Sequence, residues 1–555
     1  MNYPDKSLVD LFEDSVKEFP NNTALFLTGK KYIPTKITYA ELDRKASNFA
    51  KNLYSLGVRN KDRIALFLPN FPEFVIAFFG ILKLGCIVTP LNIMFSEKEL
   101  EYHIKDSGAN VLVTIDVKLN QPSYLELAHK MKAKIGHLEH IIVASIKPYI
   151  GTFKSLIGSL IGKIEKLDPD DISFSDIIRD NNEISLPIIK IDPKKDVCMI
   201  PYTGGTTGTP KGVMLTHWNK ITNIYAAYHW FIRFFGGLPP RGKLKFLGAL
   251  PFFHQFGSFA VMTFGIFVAG EIILIPNPRE RNFTELLEII HSYKPNIFPF
   301  VPTGYIALLN HPDFIKYDFS SIDLCFSAAA PIPLEVMKEF EKLTGTCVLE
   351  GWGLTETSPI ASINPTQKRK IGSVGIPIPD TTVAVFDLED KDKMLPIGEL
   401  GELGIKGPQI MKGYWNKPEE TDNVMNSQGF FMSGDIGRMD EEGYIYIEDR
   451  KKDMIIASGY KVFPREVEEY FFEHPDVENV AVIGIPDKYR GEKPKCFIVL
   501  KDGAASTTEE LMEYAKKGLS KYKVPSEIEI RTNLPISAIG KVLRRKLRNE
   551  SKNNS

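Results

Sequence analysis

The sequence predicts an α/β protein of two or more domains, on three observations. The chain has 555 residues, too many for one hydrophobic core. Short β-branched runs alternate with amphipathic stretches of helical length, the pattern of layered α/β units with largely parallel strands. Toward the C-terminus this pattern gives way to a small α+β domain. The predicted class is therefore α/β, with a large N-terminal domain of layered subdomains and a small C-terminal one.

The elements follow in order. The opening "MNYPDKSLVDLFEDSVKEFP" is acidic and amphipathic. It has no basic segment leading into an apolar run, so it does not read as a signal peptide. "RIALFLP", "CIVTPL" and "VLVTI" read as buried strands. "EFVIAFFGILKLG" and "SEKELEYHIKDSG" read as the helices between them, the second opened by the capping box Ser96/Glu99. The two most apolar stretches, Phe74 to Leu91 and Phe259 to Ile275, are interrupted by glycines and charges. They fall short of the roughly 20 clean apolar residues of a spanning helix, and each reads as helix, turn and buried strand.

The stretch Ile150 to Leu167 places Ile150, Phe153, Ile157, Leu160, Ile161 and Ile164 near one helical face, with Lys154, Lys163 and Lys166 beside it. Two readings stand: an interfacial helix lying on a membrane, or an ordinary helix packed on its domain. A charged run, Asp449 to Lys452, separates two strand-like segments and marks the predicted boundary, giving domains 1–448 and 449–555. In the second, Pro464 opens a helix with an acidic first turn, another helix runs from about Thr507 to Leu519, and "VENVAVIGIPD", "KPKCFIVLK" and "EIEIR" supply strands. The end, "RNESKNNS", reads as a disordered tail.

Basic and acidic residues number 68 and 69, which gives no general case for nucleic-acid binding. The five cysteines are scattered, odd in number and without metal or redox spacing. They read as small core residues of a protein in a reducing cytoplasm.

The segment "YTGGTTGTPKG", Tyr202 to Gly212, carries the chemistry. Glycines let backbone N–H groups converge on an anion, hydroxyls add donors and Lys211 adds charge. It is not the kinase-type phosphate loop, because Pro210 precedes the lysine and Gly212 follows it. Taken alone it is either a phosphate loop or a Gly/Thr surface turn.

Six further segments occur with it in a fixed order: "LPFFHQFG", "SAAAP", "EGWGLTETSP", "FFMSGDIG", "EDRKKDMIIASGYKVFPREVE" and "PISAIGKVLRR". With the loop they resemble the adenylate-forming superfamily of acyl-CoA synthetases, peptide-synthetase adenylation domains and luciferase, over nearly the whole chain. The resemblance implies that family's fold, with a small mobile C-terminal domain and the active site between domains. It also implies a two-step reaction: a carboxylate attacks the α-phosphate of ATP, releasing pyrophosphate, and a thiol, usually that of CoA, then displaces AMP.

Residue by residue, the resemblance implies these roles. Thr203, Gly204, Gly205, Thr206, Thr207, Gly208 and Lys211 grip the β- and γ-phosphates. Glu356 is the Mg2+ ligand, and Thr355 bonds the α-phosphate. Trp352, between Gly351 and Gly353, stacks on adenine; without the resemblance it would also pass as a core tryptophan. Ala329, Ala330 and Pro331 line the adenine site. Asp435 takes the ribose hydroxyls and Arg450 is the second ribose and phosphate contact. Lys541 is the mobile catalytic lysine, although "GKVLRRK" alone would read as a basic surface. His254 flanks the acyl pocket, or on its own is a satisfied core histidine. Thr303 and Gly304 form part of the acyl tunnel. Lys452 is the hinge, and Ser458, Gly459 and Tyr460 face the site in the second step.

The resembling ligases use ATP, Mg2+ and CoA. No carrier-protein domain follows the small domain in this sequence, which points to a free-standing ligase. The variant "YTGGTTG" with "DRKKDMIIASGYKVFPREVE" looks most like long- and medium-chain fatty acyl-CoA synthetases; aryl-CoA ligases more often carry serine where this chain has Gly204. The expected function is a long-chain fatty acid–CoA ligase whose partners are fatty acid, ATP and CoA. A medium-chain or aryl-carboxylate ligase, a fatty acyl-AMP ligase and a non-catalytic acyl-adenylate binder are the alternatives. The expected place is the cytoplasm, at the inner membrane surface if Ile150 to Leu167 is interfacial.

Overall fold

In the computed structural model, residues 1–118, 122–180, 184–203, 209–234, 240–278, 283–457, 460–487, 489–537 and 541–553 are described. Two nine-stranded sheets form the body. In the first, Thr23–Leu27, Glu271–Leu274, Lys245–Gly248, Ile297–Phe300, Leu324–Ser327 and Val348–Gly353 run parallel in that spatial order. In the second, Val197–Met199, Ile87–Pro90, Arg63–Leu66, Val111–Ile115, His140–Ala144 and Ile172–Ser173 do the same. Beyond Val197–Met199, the strand Lys211–Thr216 pairs antiparallel with it and with Gly413–Tyr414 and Tyr202–Thr203. The α/β architecture read from the alternating runs is therefore present.

Local sequence explains the main elements. Helix Pro72–Lys83 is apolar almost all round and almost wholly buried, as expected of a helix between layers. Ser96 and Glu99 form the expected reciprocal capping box on Glu97–Ser107, and Gly108 ends that helix in the left-handed region. One continuous hydrophobic core runs from Leu8 to Ile445.

A four-stranded antiparallel sheet, Thr382–Phe386, Gly401–Lys406, Phe431–Met439 and Ile445–Arg450, follows the large sheets. The last sheet is built from Tyr460–Val462, Ile455–Ala457, Gly491–Leu500 and Val477–Asp487, with Glu527–Arg531 parallel to Gly491–Leu500. Its two apolar faces have their own cores, one with helices Pro464–Phe472 and Thr508–Gly518, the other with Leu547.

Three sequence expectations are corrected. Residues 548–553 of the expected disordered tail are ordered, in the helix Arg544–Asn553, while 554–555 lie outside the described residues. Leu547 is fully buried, Arg544 bonds Glu468 at 2.7 Å and Arg548 bonds Asp453 at 2.8 Å. These long-range anchors outweigh a weakly apolar local sequence. Second, Ile150 to Leu167 is not one helix. Gly151, at φ 77°, separates Lys147–Ile150 from Thr152–Leu160. Ile164 lies beyond the second helix, buried and bridged to Val117. Third, Cys347 is exposed, while the other four cysteines are buried. Among the described residues no helix is long and apolar enough to cross a membrane.

Candidate active site

Four adjacent parallel strands of the first sheet release their chains at the same edge, their carboxyl ends. Lys245–Gly248 leads into Leu250–Gly257, and Ile297–Phe300 leads into helix Pro302–Leu309. Leu324–Ser327 leads into Ala328–Pro331, and Val348–Gly353 into the turn Thr355–Thr357. In open α/β sheets this edge is where ligands bind. Close packing shapes the segments. A Cβ on Gly353 would lie 1.8 Å from the Pro359 carbonyl oxygen. One on Gly304 would lie 2.2 Å from the Phe300 ring. Ala329 has φ 73°, a left-handed conformation that costs a non-glycine residue roughly 1–2 kcal/mol.

Two polar clusters form here. In the first, the Trp352 indole N–H donates to Asp435 Oδ2 at 2.8 Å. Arg450 Nε reaches Asp435 Oδ1 at 2.6 Å. Asp435 and Arg450 face each other across the register of Phe431–Met439 and Ile445–Arg450. Trp352 and Asp435 are buried. In the second cluster, the Tyr414 hydroxyl donates to Glu356 Oε1 at 2.8 Å. Lys211 pairs with Glu420 and sits 4.9 Å over the Tyr414 ring. Thr203 Oγ1 donates to the Lys211 carbonyl at 3.4 Å. Burial raises the Glu356 carboxyl above the usual range, with Arg450 opposing and Asp435 adding to it. The two clusters are thus within electrostatic reach of each other.

Lys541 arrives from the small domain. Its backbone N–H donates to Ser537 Oγ at 3.1 Å, and its carbonyl accepts from Ser537 N–H at 2.8 Å. Burial pushes its ammonium down to about 8, and Arg450 adds to that while Asp435 opposes it. His254 is pushed down to about 4 by burial and by the Lys541 charge. Lys541 is therefore within electrostatic reach of His254, Asp435 and Arg450. Lys452 lies in the turn between Ile445–Arg450 and Ile455–Ala457.

An apolar cavity of about 310 Å³ opens where the strands Lys245–Gly248 and Ile297–Phe300 end, lined by Met94, Leu250, Phe253, Phe300, Thr303 and Gly304, among others, and by Ile536 of the small domain. Thr303 and Gly304, expected to form part of an acyl tunnel, line this cavity. His254 is not a lining residue; its neighbour Phe253 is. The reason is local: His254 Nδ1 accepts from Phe256 N–H at 3.2 Å and caps the turn that follows. Pro331 is exposed, while Ala329, Ala330 and Thr355 are half-buried. Tyr460 is exposed and stacks on Tyr522, ring centroids 4.7 Å apart. Gly204, Gly205, Thr206, Thr207, Gly208, Ser458 and Gly459 lie outside the described residues.

Sequence reasoning missed three residues. Tyr414 and Glu420 hold Glu356 and Lys211; the signal was the dense "GYWNKPEE". Lys220 is fully buried, donating to Gln255 Oε1 at 3.0 Å and to the Ser358 carbonyl at 3.3 Å. Burial pushes it down to about 8.

The comparisons with known proteins agree with one another. Residues 12–415 match the family of AMP-binding enzymes, and residues 466–541 match the AMP-binding enzyme C-terminal domain. A long-chain-fatty-acid–CoA ligase of Bacillus subtilis is 42% identical over 557 residues, covering 99% of this chain and 96% of that protein. One from Escherichia coli is 36% identical over 561 residues, again covering 99% and 96%. The anthranilate CoA ligase AuaEII in complex with anthranoyl-AMP superposes with TM-score 0.84 at 29% identity, over 99% of this chain and 97% of that one. ATP-bound MatB from Rhodopseudomonas palustris superposes with TM-score 0.82 at 29% identity, over 98% and 99%.

Proposed function

The chain belongs to the AMP-binding enzyme family and is an AMP-forming acid–CoA ligase, and from that premise we propose that its acid is a long-chain fatty acid. The observation that carries this is the apolar cavity of about 310 Å³, walled by Leu250, Phe253 and Gly304 and bounded by Ile536, five positions from Lys541. Such a space suits an alkyl chain whose carboxylate emerges toward Lys541. The 42% identity to the Bacillus subtilis ligase supports it.

The proposed roles follow from the clusters. Asp435, oriented by Trp352 and Arg450, accepts from the ribose hydroxyls. Trp352 and Ala328 to Pro331 wall the adenine. Lys211, with Thr203 and residues 204–208, grips the β- and γ-phosphates, leaving Glu420 to do so. Thr355 bonds the α-phosphate. A buried carboxylate such as Glu356, bonded to a single tyrosine hydroxyl, fits one oxygen ligand of Mg2+. When bound, Mg2+ would neutralise charge on the departing pyrophosphate. The fatty carboxylate attacks the α-phosphorus, the bond to the β-phosphate oxygen breaks and pyrophosphate leaves. Lys541 stabilises the charge that develops there. The units 1–448 and 449–555 then rotate about Lys452, and Ser458 to Tyr460 approach the acyl-adenylate. The CoA thiol, losing its proton, forms the thioester and AMP departs. His254 stands beside the acyl wall as a binding residue.

The test is a panel of fatty and aryl acids of graded length with ATP, Mg2+ and CoA, following AMP and acyl-CoA together. Long-chain acids should give both products at the highest kcat/KM. A preference for aryl or medium-chain acids would replace the substrate, AMP without acyl-CoA would mean a fatty acyl-AMP ligase, and neither product would mean a binding protein.

Association with an anionic membrane surface is part of this proposal. Leu156 is 61% exposed, Leu160 76% and Ile161 61%, with Lys154, Lys163 and Lys166 exposed nearby. Exposed apolar residues beside lysines suit a lipid interface. Co-sedimentation with anionic vesicles should be strong for the parent and weak after Leu156→Glu with Leu160→Glu; equal binding by both, or none by the parent, would remove it.

A further inference from the structure

The loop 204–208 has two described flanks, and one helix touches both. On the first, the Tyr202 hydroxyl donates to Asp106 Oδ2 at 2.7 Å. On the second, the Pro210 carbonyl accepts from the Tyr102 hydroxyl at 2.7 Å. Tyr102 and Asp106 are four positions apart on helix Glu97–Ser107, so they share a face. Their side chains also approach each other, Tyr102 OH to Asp106 Oδ1 at 3.4 Å. His103, between them in sequence, packs edge-on against the Tyr202 ring at 4.5 Å.

Asp106 reaches a third segment. Its carbonyl accepts from the Trp415 indole N–H at 3.1 Å, and Lys417 Nζ lies 3.7 Å from its Oδ1. Trp415 adjoins Tyr414, which holds Glu356 and underlies Lys211. The Asp106 carboxylate side chain is 17% exposed, so these bonds are shielded from bulk water.

We propose that Tyr102 and Asp106 form a clasp on both flanks of the phosphate loop, and act as positioning residues for the ATP-dependent half-reaction alone. The proposal rests on the reading that this loop grips the phosphates of ATP. Its physical basis is entropy. Three of the five residues 204–208 are glycine, and glycine loses the most conformational freedom when ordered. A segment whose two ends are already fixed has less freedom left to lose when phosphate binds. The clasp also ties the loop to the Tyr414 segment, so that Lys211 and Glu356 keep one spacing. Neither Tyr102 nor Asp106 lines the apolar cavity, so the clasp is expected to serve the ATP-dependent step and not the second half-reaction.

The experiment uses the full chain with Asp106→Ala and Tyr102→Phe. ATP–pyrophosphate exchange with dodecanoate reads the first half-reaction, and thioester formation from supplied dodecanoyl-adenylate and CoA reads the second. KM for ATP in exchange should rise about tenfold for Asp106→Ala and about threefold for Tyr102→Phe. Thioester formation should stay within about twofold of the parent. An unchanged KM for ATP, or equal losses in both half-reactions, would overturn the clasp. If Asp106→Ala does not fold, Tyr102→Phe, which deletes one oxygen, decides by the same two readouts. Lys211→Ala separates the two ideas. If it too leaves the KM for ATP unchanged, the loop reading itself fails. If it raises that KM while the clasp variants do not, the clasp alone fails.

Discussion

The two halves of the site are held in opposite ways. In the large domain these charged groups are already bonded: Asp435 to Trp352 and, across the boundary, to Arg450, Glu356 to Tyr414, Lys211 to Glu420. Lys541, in the small domain, is fixed through its backbone to Ser537. Its ammonium feels the charges of both Arg450 and Asp435, and burial with Arg450 pushes it down to about 8. The large-domain half is preorganised, with orientations set before any substrate arrives. The small-domain half holds a cation whose charge is disfavoured where it stands, so an incoming anion gains more from it. On the proposed reading, that difference gives recognition to the large domain and charge stabilisation to Lys541.

Removing the small-domain half should do most. Lys541→Ala is expected to lower acyl-adenylate formation by roughly 100- to 1,000-fold, the usual scale for one electrostatic group at a reacting centre. Single-turnover adenylation measures it, and thioester formation from supplied acyl-adenylate should be largely spared. Equal loss in both steps would erase the division of labour. Next comes Glu356→Ala, with turnover down about tenfold or more and the Mg2+ requirement shifted to higher concentration. Normal activity across a Mg2+ titration would remove Glu356 from that role. Trp352→Phe keeps an aromatic ring and deletes one hydrogen bond to a buried carboxylate. Its KM for ATP should rise about tenfold, with the acid's KM unchanged; movement of both would mean that the indole packs the core and does not orient Asp435. Smallest of all, Tyr414→Phe should cost a few-fold in turnover, and its Mg2+ titration should shift in the direction of Glu356→Ala.

Much of this was legible in the sequence where chemistry is local. The capping box at Ser96 depends on residues three apart and formed as expected. Trp352, Asp435 and Arg450, drawn from three separate motifs, are bonded together through Asp435, and Lys541, from a fourth, is within electrostatic reach of the last two. What was not legible depends on long-range contacts. Tyr414 meets Glu356 across 58 positions and Tyr202 meets Asp106 across 96, and no periodicity encodes such pairs. The apolar face at Ile157, Leu160 and Ile161 was readable, but its exposure was not, because exposure depends on whether a neighbouring surface covers the face. The Arg544–Asn553 helix was missed because its anchors, Glu468 and Asp453, lie in other elements.

The pH profile of the adenylation step tests the central claim most directly. Lys541 acts as a cation, so rising pH removes its function as it loses its proton near 8. The account predicts a descending limb near pH 8 in kcat/KM for ATP in ATP–pyrophosphate exchange, the parameter that reports the free enzyme. In Lys541→Arg, whose guanidinium stays charged, the limb should move beyond pH 10. Thioester formation from supplied acyl-adenylate should lack a Lys541-dependent limb. A limb near pH 8 that persists in Lys541→Arg would assign it to another group, such as Lys220, and would contradict the role given to Lys541.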